Sequence, residues 1–209
     1  MKCIEVDVAI VGAGSAGMSA YKAARANTDK LVVIEQGPYG TTCARVGCMP
    51  SKLLIAAAGT AHTIDGSAGF GIEVASRRID GAAVMARVRR ERDRFVGFVL
   101  DTVDGWPEAH RLQGRARFLA PGVLCVNDDL RVNAARIVIA TGATPNIPAG
   151  WRERLGDRLI VNDDVFDWTT LPDSVAVVGT GVVGLELAQA LHRLGVRVRL
   201  FGRGGRAGP

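Results

Sequence analysis

Apolar positions along the chain change their period repeatedly, and each change marks an expected element. Residues 6–11 form a short run rich in β-branched side chains, closed by Gly12-Ala13-Gly14-Ser15-Ala16-Gly17. An alanine-rich stretch continues to about Ala26, and a second apolar run occupies 31–35. Strand, glycine turn, helix and strand in this order predict a βαβ unit. A loop containing two cysteines follows, then an apolar stretch at 53–58 that reads as helix. Between 80 and 103, Val84, Val88, Phe95 and Val99 recur at helical spacing and predict a long amphipathic helix.

From 111 to 140 the pattern shortens to alternating segments, with turns at Ala120-Pro121-Gly122 and Asn127-Asp128-Asp129. This predicts an antiparallel meander feeding one buried strand at 136–140, which Thr141-Gly142 ends sharply. Residues 145–174 carry Pro145, Pro148, Gly150 and Pro172 and read as a connection. A second βαβ unit then begins, with strands at 175–178 and 196–201 around Gly179-Thr180-Gly181-Val182-Val183-Gly184. The expected class is α/β. A dinucleotide-binding domain with a β-meander spans 1–148, a connection spans 149–174, and a second Rossmann-like domain starts at 175. One βαβ unit cannot cover both faces of a parallel sheet, so the second domain is expected to be incomplete over 175–209 and the chain to be a fragment.

Composition narrows the classes. Of 209 residues, 48% are apolar and 22% charged, enough for a packed core and unlike a disordered chain. The net charge of +5 is moderate and decides little. The apolar run at 6–11 is short and contains Asp7, unlike a signal segment, and no stretch nears the roughly 18–20 apolar residues of a membrane helix. A cytoplasmic protein without membrane contact is the expectation. Arg87, Arg89, Arg90, Arg92 and Arg94 line the 80–103 helix, interleaved with Glu91 and Asp93, and read as a solvated face rather than a nucleic-acid surface.

The glycines carry the first chemistry. In the first G-x-G-x-x-G, Gly12 permits the tight turn, Gly14 a close approach to a pyrophosphate, and Gly17 close helix–strand packing. The following helix N-terminus offers N–H groups to the phosphates. Glu35 ends the second strand 23 positions after Gly12, placed to accept hydrogen bonds from an adenosine ribose. Dinucleotide binding therefore outweighs a purely structural turn.

Cys43 and Cys48 frame Ala44-Arg45-Val46-Gly47. Such a loop can fold back to disulfide distance, with Gly47 easing the turn. A helix start and Lys52 nearby favour a thiolate. In isolation the two could be ordinary buried cysteines; beside a dinucleotide site, redox chemistry is preferred. No second cysteine pair stands near to complete a zinc site, and none is expected. Cys3 and Cys125 read as small strand residues, and His62, His110 and His192 stand apart from any cluster.

The stretch Thr42-Cys43-Ala44-Arg45-Val46-Gly47-Cys48-Met49-Pro50-Ser51-Lys52 closely resembles the active-site segment of the class I pyridine nucleotide–disulfide oxidoreductases. The resemblance covers essentially the whole chain in order: first fingerprint, cysteine motif, Ala140-Thr141-Gly142, second fingerprint. The Pro-Ser-Lys ending is most similar to dihydrolipoamide dehydrogenases, although mercuric reductases share it. One departure is Thr41, where the family usually has a second glycine beside Gly40.

The resemblance implies FAD at the first glycine turn and NAD or NADP at the second. It implies that Cys43 exchanges with a disulfide substrate such as lipoamide and that Cys48 lies against the flavin. Lys52 would stand at the flavin edge, paired with Glu186; Thr42, Ala116, Thr141, Gly142 and Ala143 would touch FAD. Gly179, Gly181 and Gly184 would hold the nicotinamide nucleotide. The whole enzyme would be a homodimer whose histidine–glutamate base lies in a C-terminal interface domain absent here, so the fragment alone is expected to be inactive, a nucleotide-binding module without turnover. At the position equivalent to Glu35 stands Gly202, followed by Arg203, with no acidic residue from 187 to 209. Arg203 and Arg206 favour the 2′-phosphate of NADP, whereas the dihydrolipoamide dehydrogenase likeness favours NAD.

Overall fold

The computed structural model describes residues 1–204 and 208. In chain order the elements are β1 (Lys2–Val11), α1 (Ser15–Arg25), β2 (Leu31–Glu35), α2 (Thr42–Val46), α3 (Cys48–Asp65) and α4 (Gly81–Asp104). There follow β3 (Arg111–Gln113), β4 (Ala116–Ala120), β5 (Val123–Val126), β6 (Leu130–Ile139), α5 (Trp151–Leu155), β7 (Ser174–Val178), α6 (Val182–Arg193) and β8 (Arg197–Phe201). These form two compact units, one of residues 1–44 and 96–144, the other of residues 45–95 and 145–209.

The first unit is an α/β layer on a Rossmann-like sheet of strand order β3-β2-β1-β6-β5-β4. β1 runs parallel to both β2 and β6, and β5 reverses direction against β6 and β4. β1 begins at Lys2 rather than at 6, because β6 pairs with it in one register from Lys2↔Leu130 to Val11↔Ile139. β6 likewise begins before 136: residues 130–133 serve β1 on one side and β5 on the other. Long-range pairing extends both strands through polar positions that carry no apolar signal.

Side-chain alternation then places a core on each face of this sheet. Ala9, Val32, Ile34, Leu124, Val126 and Val132 form one cluster. Ile10, Leu31 and Val33 join Ala13, Tyr21, Val103 and Trp106 in the other. Because both faces are covered, the first four residues of β2 are all buried. Tyr21 stacks on Trp106 with ring centroids 3.9 Å apart. Buried His110 lies 3.0 Å from the Tyr21 hydroxyl through Nδ1 and 3.0 Å from the Asp29 carbonyl through Nε2. A carbonyl only accepts, so Nε2 donates to it and Nδ1 accepts from the tyrosine. A histidine that stands alone in the sequence is thus a core polar bridge.

In the second unit α6 and the parallel pair β7–β8 share a core with α3 and the first part of α4. Leu54, Met85, Val88, Phe166, Leu187 and Leu191 are its large buried side chains. The apolar run at 53–58 lies inside a longer helix, which starts at Cys48 and tolerates Pro50 in its first turn. The arginine face is only partly solvated. Arg90 and Arg94 are exposed beside Glu91, as expected. Arg87, however, donates to the Leu53 carbonyl at 3.3 Å, and Arg89 to the Trp168 carbonyl. Arg92 donates to the Phe166 carbonyl at 3.2 Å and pairs with Asp167 at 2.6 Å. The short 3-10 turn Asp164–Asp167 buries Val165 and Phe166, and the arginines satisfy carbonyls around it.

Two outcomes test this packing. A methyl at Gly17 would overlap the Gly12 carbonyl and push α1 off β1. Gly17→Ala is expected to lose at least about 3 kcal/mol in urea unfolding followed by circular dichroism. Asp163 is held above the usual carboxylate range by burial and by neighbouring Asp164, against the pull of Arg45. An acid whose folded pKa is raised disfavours the folded state once ionised. The penalty is absent below the unfolded pKa and complete above the folded one. Asp163→Asn should therefore raise the melting temperature at neutral pH, with the gain vanishing in acid as pH falls past the ordinary carboxylate range.

Candidate functional site

The glycine turn after β1 is built by exclusion. Gly12 has φ 104°, and a Cβ there would overlap the Ala140 carbonyl where β6 ends. Gly17 meets the Gly12 carbonyl in the same way. Gly14 differs: a Cβ there would find nothing within 4 Å, so its bareness leaves open space at the helix mouth rather than relieving a clash. α1 starts at Ser15 with no side-chain cap and no acidic residue in its first turn. Its leading N–H groups therefore face open space with a positive dipole end, a fitting cradle for a pyrophosphate.

Glu35 closes the same site. Its Oε2 accepts from the Ala13 N–H at 2.7 Å and its Oε1 from the Gly37 N–H at 2.8 Å. The carboxylate is thus fixed at the end of β2, beside the glycine turn, with lone pairs left for a ribose. The backbone beyond β6 runs through exposed Thr141, Gly142 and Ala143, with Gly142 at φ 72°. Ala116 opens β4, half-buried. Gly12, Gly17 and the 140–141 backbone are in direct juxtaposition, and Glu35 braces the turn.

Cys43 sits half-buried on α2, after exposed Thr42. The turn before them has Gly40 at φ 115° and Thr41 at φ 57°, a left-handed conformation that a β-branched residue rarely takes. Buried Thr41 turns its Oγ1 inward to accept from the Ala44 N–H at 3.0 Å, capping α2. Left-handed backbone costs roughly 1–2 kcal/mol. A side-chain cap contributes about 1 kcal/mol. The two nearly offset. Thr41 is not in the set of site residues expected from sequence; its only signal there was the departure from glycine.

Cys48 is exposed at the start of α3, where the Ser51 hydroxyl donates to its carbonyl at 3.1 Å. One turn on, Lys52 Nζ lies 2.7 and 2.8 Å from the two oxygens of Glu186 on α6. The pairing expected for these residues is present. Both side chains are substantially exposed, so the pair contributes at most about 1 kcal/mol to stability.

The second glycine turn repeats the first. Gly179 has φ 116°, a Cβ at Gly184 would overlap the Gly179 carbonyl, and Gly181 stands in open space before an uncapped α6. At Gly202 a Cβ would overlap the Thr180 side chain, so Thr180 fills the place where an acidic side chain would begin. Arg203 is exposed; Arg206 lies outside the described residues. Among the described residues no cluster of histidine, cysteine or acidic side chains could hold a metal, and no helix is long and apolar enough to cross a membrane.

Comparison with known proteins identifies the family. The family model described as "Pyridine nucleotide-disulphide oxidoreductase" matches residues 6–208. The chain is 31% identical to a glutathione reductase of Burkholderia cepacia over 206 residues, covering 98% of this chain and 44% of that protein. It is 34% identical to a mercuric reductase of Shigella flexneri, covering 94% and 36% respectively. A dihydrolipoyl dehydrogenase of Bacillus subtilis (strain 168) is 30% identical, with coverage of 94% and 44%. The fold matches the HOCl-induced flavoprotein disulfide reductase RclA from Escherichia coli with a TM-score of 0.74 at 22% identity, over 96% of this chain and 43% of that one. The chain thus spans less than half the length of these relatives. The family is one of flavin-dependent oxidoreductases using FAD and NAD(P), and this chain belongs to it.

Proposed function

We propose that Cys43 and Cys48 form the redox pair of a flavin-dependent disulfide oxidoreductase, with FAD held at the first glycine turn and a nicotinamide nucleotide at the second. The carrying observation is the spaced cysteine pair that follows an uncapped, unobstructed dinucleotide cradle. With dihydrolipoamide, one substrate thiolate attacks the Cys43 sulfur of the oxidised pair and releases Cys48 as thiolate. The second substrate thiol then displaces Cys43 from the mixed disulfide. Lipoamide leaves, and the cysteine pair holds one electron pair. Bound FAD supplies the electron transfer between this pair and the nicotinamide nucleotide. Lys52, paired with Glu186, follows Cys48 by one turn on α3. In this reading the whole protein acts as a homodimer in the cytoplasm.

The Pro50-Ser51-Lys52 ending supports dihydrolipoamide as substrate. A second reading, reduction of glutathione disulfide or mercuric ion, is supported by relatives of those names at 31% and 34% identity, against 30% for the dihydrolipoyl dehydrogenase. For the nucleotide, Thr180 in the place of an acidic side chain and Arg203 next to it favour NADP through the 2′-phosphate.

Gly14→Ala should keep its melting temperature yet retain about tenfold less flavin on purification, because the methyl intrudes only on the open cradle. Full retention would remove the first turn as the FAD site. In the full-length protein, Cys43→Ser and Cys48→Ser should each keep flavin but abolish nucleotide-linked turnover of lipoamide, glutathione disulfide and mercuric ion alike. Normal turnover by either variant would contradict the redox assignment. The relative kcat/KM of the three wild-type reactions assigns the substrate.

A further inference from the structure

We infer that Thr41 is a positioning residue for Cys43, fixing the turn that carries the exchange thiol so that closing the redox disulfide need not order it. The inference rests on the redox reading of Cys43. Thr41 precedes the cysteine by two positions, is buried, and carries φ 57°. Its Oγ1 accepts from the Ala44 N–H at 3.0 Å, so one hydrogen bond spans Cys43 from the residues on either side. Ala44 is itself buried, which anchors the far end of that bond in the core.

A residue chosen only for backbone freedom at this φ would be glycine. Threonine is poorly suited to the conformation, and what it adds is the hydroxyl. Among the described residues the hydroxyl bonds the first turn of α2, and that turn carries Cys43. Fixing it removes conformational freedom that ring closure between Cys43 and Cys48 would otherwise have to remove. The capped turn therefore favours the disulfide over the dithiol, and glycine at 41 forfeits this twice, by losing the cap and by loosening the chain.

The test equilibrates the protein with defined ratios of reduced to oxidised glutathione. The Cys43–Cys48 pair is quantified by alkylation and mass spectrometry, with thermal unfolding measured in parallel. Thr41→Gly should shift the equilibrium toward the dithiol about three- to tenfold while strain relief keeps its melting temperature within about 2–4 °C of wild type. Thr41→Ser, which keeps the hydroxyl, should stay within about twofold of wild type in the redox equilibrium. Thr41→Asn caps and tolerates left-handed backbone, so it should match wild type in redox equilibrium and melt no lower. Thr41→Gly and Thr41→Ser both matching wild type would overturn the inference, as would equal shifts in all three variants. A wild-type chain that forms no Cys43–Cys48 disulfide at any glutathione ratio would instead overturn the redox reading beneath it.

Discussion

The contact between the Gly17 Cα and the Gly12 carbonyl sets the geometry from which the rest of the first unit follows. No side chain fits there, so α1 lies directly on the end of β1, and Gly12 in turn lies directly on the carbonyl of Ala140. Three backbone segments meet at one point without side chains between them. The helix mouth therefore opens at the C-terminal ends of β1 and β6, and Gly14, unobstructed, is left beside it. Glu35 reaches the same point from β2 through the Ala13 N–H, so the acid that would hold a ribose also braces the turn that would hold the phosphates. Binding geometry and packing geometry are here one constraint.

The second unit repeats the helix–turn contact at Gly184 and Gly179, without a third backbone segment against Gly179 and with a different residue at the end of its second strand. The first unit has a carboxylate at the end of its second strand. The second has Gly202, kept bare by Thr180, and an exposed arginine beside it. The two turns share a way of holding phosphates and differ in the charge they offer the ribose. Both are compatible with a family that uses two dinucleotides.

What could be read from the sequence were features whose meaning is local. Glycine spacing encodes turns within six residues, and the cysteine motif lies on one continuous loop and helix start, so both were legible, as was the α/β class. The Lys52–Glu186 pair joins residues 134 positions apart and came from family likeness rather than from spacing. Other features depend on partners that sequence periodicity does not name. β1 reaches back to Lys2 only because β6 is there to pair with it. Arg89 and Arg92 looked like solvent-facing charges until carbonyls at 166 and 168 met them. His110 became a core bridge through Tyr21, 89 positions away. Thr41 was visible as a missing glycine, but its capping bond required knowing that a left-handed residue starts α2.

In the proposed reading, a flavin at the first turn and the Cys43–Cys48 pair act as two connected electron acceptors. An anaerobic reductive titration of the flavin-loaded protein tests it most directly, following the flavin spectrum and counting thiols together. The expected result is uptake of two electron pairs per chain, with thiols at Cys43 and Cys48 appearing as the disulfide is consumed. Uptake ending after a single pair, with both cysteines already titrating as thiols in the oxidised protein, would contradict it.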